Sequence, residues 1–134
     1  MILAGTTLAG CSQEQRDDRR AGLYADKLER GEAVSAQDYA EMVSFYCDAL
    51  DNTLEEIEPA AKAHAAALNA GDSLRIVDTA AELNEVSTKA HQKRQNLVRL
   101  GKGLQYHMAD IPDSTRTRLT DHILKITLRY ANYE

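Results

Sequence analysis

The strongest constraint on this chain is an apolar stripe near its middle. Tyr39, Val43, Tyr46, Leu50, Leu54 and Ile57 recur at steps of three and four residues, the spacing that puts side chains on one face of an α-helix. Ser35 stands ahead of the stripe as an N-cap, Asp38 follows three residues on, and Val34 and Tyr39 occupy the two positions of a hydrophobic staple. Pro59 removes one backbone donor, so a kink or restart is expected there. From Ala60 to Ala70 the composition favours helix again, until Asn69-Ala70-Gly71-Asp72 marks a stop.

A helix with one apolar side needs partners, and three further segments can supply them. The first runs roughly from Gln15 to Arg30, with Ala21, Tyr24 and Leu28 on one face and Gly31 as its stop. A third helix is expected from Asp72 or Ser73, carrying Ile76, Ala80, Leu83, Ala90, Leu97 and Leu100, polar between Ser87 and Asn96, and loosened at its end by Gly101 and Gly103. The last opens at Pro112 with Asp113 or Ser114 and carries Leu119, Ile123, Ile126, Tyr130 and Tyr133. No sustained two-residue alternation and no Asn-Gly or Asp-Gly turn points to a strand. The expected fold is therefore all-α, an up-and-down helical bundle of three to four antiparallel helices. With 134 residues, no Trp and one Phe, this is one domain whose core is built from Leu, Ile, Val and Ala. Folding the second helix on the third about Gly71 brings Asp48, Asp51 and Glu55 towards Lys89, His91, Lys93 and Arg94. The basic run is then explained without an anionic ligand.

The amino terminus carries the one recognisable motif. Leu8-Ala9-Gly10-Cys11 ends an apolar run, and the composition turns at once to Gln13-Glu14-Gln15-Arg16-Asp17-Asp18-Arg19-Arg20. These residues resemble the lipobox of bacterial lipoproteins. The resemblance implies cleavage before Cys11, diacylglycerol on its sulfur and an acyl group on its new amino terminus, with several chains giving stable attachment to a membrane. Ser12 in place of Asp implies sorting to the outer membrane, facing the periplasm or the surface. No Lys or Arg precedes Cys11 and the apolar run is short, so residues 1–10 are expected to be an N-terminally truncated signal peptide. Residues 11–20 then form a tether and 21–134 the helical domain. Beyond this motif the chain resembles small helical lipoproteins of the bacterial envelope.

Chemistry is harder to locate. A net charge of -5 repels phosphate backbones and argues against nucleic-acid binding, and no stretch reaches the roughly 20 apolar residues of a membrane-spanning helix. None of His64, His91, His107 and His122 has another His three or four residues away, so no metal or cofactor is expected. Glu55-Glu56-Ile57-Glu58 radiates around a helix and reads as a solvated face. Cys47, among apolar neighbours, reads as a buried and inert thiol. No nucleophile motif occurs and no catalytic residue is assigned. The expected function is a lipid-anchored, non-catalytic envelope protein that attaches to the membrane through Cys11 and serves as a protein-interaction or structural module. The alternative is a periplasmic bundle that binds a small ligand, haem or a metal through His64, His122 and Tyr130.

Overall fold

The computed structural model describes residues 13–131, so Leu8, Ala9, Gly10, Cys11 and Tyr133 lie outside the described residues, as does the side chain of Tyr130. Among the described residues there are five α-helices and no strand. They are α1 (Gln13–Glu29), α2 (Ala36–Ala70), α3 (Ser73–Gln92), α4 (Gln95–Tyr106) and α5 (Asp113–Ala131), with a 3-10 turn at Met108–Asp110. The all-α expectation holds. The count differs, because the single third helix of the sequence analysis is two helices broken at Lys93 and Arg94.

The signals around α2 act as their chemistry dictates. Ser35 Oγ accepts from the Asp38 amide at 3.1 Å, while the Asp38 carboxylate takes Lys27 Nζ of α1 at 3.2 Å, tying the first helix to the start of the second. At the far end Gly71 adopts φ 66°, and the Gly71 and Asp72 amides close back on Leu68 and Ala67, a left-handed stop that glycine makes without steric cost. Helix α2 runs through Pro59 without interruption. Burial of Ile57, Ala60 and Ala61 holds both halves in line despite the missing donor.

Cross-helix pairs fix the directions. Lys27 meets Asp38 at the start of α2, and Glu14 meets Arg94, which is itself paired with Glu56 further along α2, so α1 runs against α2. His64 meets Thr79 and Glu56 meets Lys93, so α3 also runs against α2. Asp51 meets His122 and Glu58 meets Arg129, so α5 runs with α2. The core sits where α1, the first half of α2, α4 and the start of α5 converge on Met42, Val43, Leu100, Leu104, Ile111 and Leu119.

Helices α1 and α4 lie side by side and run the same way, and their contact corrects two expectations. Residues 13–20 are not a free tether but the first two turns of α1. Asp18 in those turns accepts from the Asn96 amide at 3.0 Å and from its side-chain amide at 3.1 Å. Because Arg94, at the N-cap position, offers no side-chain cap, a carboxylate from another helix satisfies an orphan donor and meets the positive end of the α4 dipole. Gly101 and Gly103 do not loosen a helix end; both lie inside α4. A Cβ on Gly103 would stand 3.0 Å from Leu28, and one on Gly22 would stand 2.9 Å from Asn96. Each helical glycine costs about 1 kcal/mol in propensity, and the closer approach of the two helices offsets it. Arg99 then spans Asp26 at 2.7 Å and Glu29 at 2.6 Å.

The expected charge seam forms with different partners. Lys93 and Arg94 both reach Glu56, at 3.2 and 3.4 Å, rather than Asp48, Asp51 or Glu55. Lys89 pairs within its own helix with Glu85. Arg94 is only 7% exposed, and its guanidinium also donates to the Ala90 carbonyl at 3.0 Å. Burial pushes the Glu56 carboxyl up, but the hydrogen bonds and charges of Arg94 and Lys93 outweigh it and hold the group below its ordinary range.

Replacing Asp18→Ala is expected to lower stability by about 1 kcal/mol, the typical worth of a cap, while Asp18→Asn, which keeps an acceptor oxygen, retains most of it; urea unfolding midpoints measure both. The Glu56 pairs stabilise the fold above the ordinary glutamate pKa, and that contribution disappears as pH falls through the lowered folded value. Glu56→Gln is therefore expected to be less stable than the parent at pH 7 and closer to it at pH 3, as read from melting temperatures at the two pH values.

Candidate functional site

The break between α3 and α4 opens two grooves that share Arg94 and Leu97 as their common wall. The first, about 540 Å³, lies between α2, α4 and α5, within the size range of small-molecule sites. Its floor is apolar: Leu50 of α2, Leu97 and Leu104 of α4, and Leu119 and Ile123 of α5. Tyr46 lies across Gly101, where any Cβ would overlap its hydroxyl, so this glycine makes room for the ring that closes one side. Burial pushes the Tyr46 phenol above its ordinary pKa, leaving a neutral hydroxyl at the groove wall. His91, Arg94, Lys102 and Gln105 complete the rim.

The second groove, about 470 Å³, lies beside the start of α1 and has the opposite character. Glu14, Asp17, Asp18, Glu55 and Glu56 line it, with Arg94 as its single cation. Glu14 and Glu56 are committed to Arg94, and Asp18 to the α4 amide. Among the described residues no three His, Cys, Asp or Glu side chains come together in a metal-binding group.

The histidines are separated. His64 sits on the second half of α2, where Thr79 Oγ1 accepts from its Nδ1 at 3.0 Å while the Thr79 hydroxyl donates to the Arg75 carbonyl. His122 of α5 meets Asp51 at 2.9 Å. Thirteen residues of α2 separate Asp51 from His64, about 20 Å of helix, so the structure does not bring His64 and His122 to one ligand. Tyr130 contributes nothing to the comparison, its side chain being outside the described residues. His107 Nε2 donates to the Leu28 carbonyl at 3.1 Å, and His91 Nδ1 to the Ser87 carbonyl at 2.7 Å. His91 bonds within its own helix, while His64, His107 and His122 bond across helices, from separate places in the fold.

Cys47 is buried, as its apolar neighbours suggested. Desolvation pushes its thiol up to about 11; Arg118 opposes the shift, and Asp51 and Asp48 add to it. At neutral pH it is a protonated thiol, and the thiolate is the reactive form.

Of the site residues, sequence reasoning placed Tyr46 and Leu50 on the apolar stripe of α2 and did not single out Lys102 or Gln105. The available signal was a pair of glycines inside a segment with helical periodicity, which marks close approach as well as a helix end. Comparison with protein-family models, with curated proteins and with solved structures finds no match to this chain.

In the Cys11→Ser protein, Cys47 is expected to react with a disulfide reagent at pH 8 on the order of a hundredfold more slowly than in urea, where its pKa returns to about 8.5. Equal rates in the two states would show that the thiol is accessible in the fold.

Proposed function

We propose that this chain is a lipid-anchored, non-catalytic protein of the bacterial cell envelope that presents a helical surface to another protein. The observation that carries the proposal is the Leu8-Ala9-Gly10-Cys11 motif only two residues ahead of α1. With Cys11 acylated, the helical domain stands directly at the membrane surface with almost no spacer. Among the described residues no helix is long and apolar enough to cross a membrane, so attachment falls to the lipid. In the same reading α3 and α4 count as one broken helix, and the topology is an up-and-down bundle of four.

Support for an interaction role comes from α3. Its single fully buried residue is Ala90, while Leu74 and Val77 are 80% and 68% exposed. Helix α3 packs on α2 through Ile76, Thr79, Leu83 and Val86, each only partly covered. The hairpin of α2 and α3 beyond Glu58 is thus a two-helix arm with open sides. Exposed apolar side chains at such an end are suited to a protein partner. A binding rather than a catalytic role is consistent with a raised, buried Cys47 thiol and with histidines that each serve a structural bond. The alternative of ligand binding is better served by the groove beside Tyr46 than by His64 and His122.

Mass spectrometry of the protein from its own envelope tests the anchor. The expected species begins at Cys11 and carries acyl chains; an unmodified sulfur with residues 1–10 still attached contradicts it. For the arm, Leu74→Ser with Val77→Ser is expected to reduce crosslinking to envelope proteins severalfold without lowering the melting temperature. Unchanged crosslinking removes α3 as the contact surface.

A further inference from the structure

The groove between α2, α4 and α5 differs in charge from the acidic groove beside it, and its rim residues His91, Val98 and Lys102 also border a shallower, carboxylate-free surface groove with Arg99. The chain carries 21 acidic and 16 basic residues, yet no carboxylate lines this groove, while five line the neighbouring one. Arg94 faces both and is neutralised from the acidic side by Glu56 and Glu14. Lys102, further along the same α4 wall, has no carboxylate partner among the described residues, and His91 has its Nδ1 committed to Ser87, with Nε2 unengaged among the described residues. Tyr46 adds a hydroxyl and Gln105 an amide, neither held by another side chain among the described residues.

The shape matches the chemistry. Along α4 the wall runs from Arg94 to Gln105, eleven residues or about 16 Å of helix. Leucine and isoleucine side chains line that length, and the polar groups sit on the rim. An elongated apolar trough with one uncompensated cation fits a molecule with an extended hydrocarbon tail and a single anionic head. A polar solute would leave the apolar lining of the trough unmatched.

We propose that this groove binds one free long-chain fatty acid, its tail along Leu50, Leu97 and Leu119 and its carboxylate at Lys102. This goes beyond the anchoring role and does not depend on it, since the groove is built from residues of the helical domain alone. Binding would place the tail against α5, which is held to α2 by two ion pairs and by Thr115 and Leu119.

Titration calorimetry of the full 134-residue chain with oleate, kept below its aggregation threshold, tests the proposal. Saturable binding of one oleate per chain is expected, with no heat from butyrate, whose tail is too short to fill the trough. Lys102→Glu is expected to weaken oleate binding at least tenfold, with monoolein, which has no charge, left within about twofold; Lys102→Arg restores oleate. Val98→Trp, on a groove-lining position that is 40% exposed, fills the trough and is expected to abolish binding with the helical circular dichroism unchanged. Lys102→Glu lies on the exposed rim and keeps the test decisive should the larger substitution disturb the fold. Absence of saturable oleate binding overturns the proposal, as does binding that Lys102→Glu leaves within twofold. Tenfold preference for oleoyl-lysophosphatidylglycerol over oleate overturns the assignment to a free fatty acid.

Discussion

Gly22 and Gly103 let α1 and α4 approach more closely than two β-carbons would permit, and polar contacts lock the pair at both ends. Asp18 caps the start of α4, and Arg99 grips Asp26 and Glu29 near the end of α1. Only with α4 held there can Leu97, Leu100 and Leu104 reach the stripe on α2. A short helix of twelve residues with two internal glycines is a poor helix by propensity alone. Its stability comes from what α1 does to it.

The break at Lys93 and Arg94 follows from the same arrangement. Helix α3 follows the second half of α2, but α4 must shift to meet α1, and the chain cannot do both as one straight helix. Arg94 fills the corner. Its guanidinium satisfies the Ala90 carbonyl left without its helical donor and ties in Glu56 and Glu14. Buried charge of this kind is tolerated because every partner is present; removing one would leave the other uncompensated. The offset of α4 also leaves space against α5, and that space is the apolar groove. Site and fold therefore share one origin.

Much of this was legible in the residues. The stripe of α2, the Ser35 cap and the Gly31 and Gly71 stops are local signals whose physics does not depend on distant partners. The buried, unreactive Cys47 was readable from its neighbours. What escaped was tertiary. Nothing local says that Asp18 caps a helix 78 residues away, so its surroundings read as a charged tether. Gly101 and Gly103 read as helix breakers because propensity sees the missing side chain and not the Tyr46 and Leu28 side chains that need its absence. Of the basic run only Lys93 and Arg94 meet an acid across the hairpin, and the side-chain register selects Glu56 over its neighbours, while Lys89 and His91 bond within α3. His64 and His122 were offered as ligands from two different helices, yet a 35-residue helix carries His64 far from His122.

Native-state hydrogen exchange measured amide by amide tests most directly whether the α1–α4 contact is the keystone. The account predicts that amides of residues 21–28 and 98–104 exchange only through global unfolding, with the same denaturant dependence as the centre of α2, while amides of α3 open earlier and independently. Exchange of α1 at the rate of an unprotected leader, with α4 still protected, would contradict it.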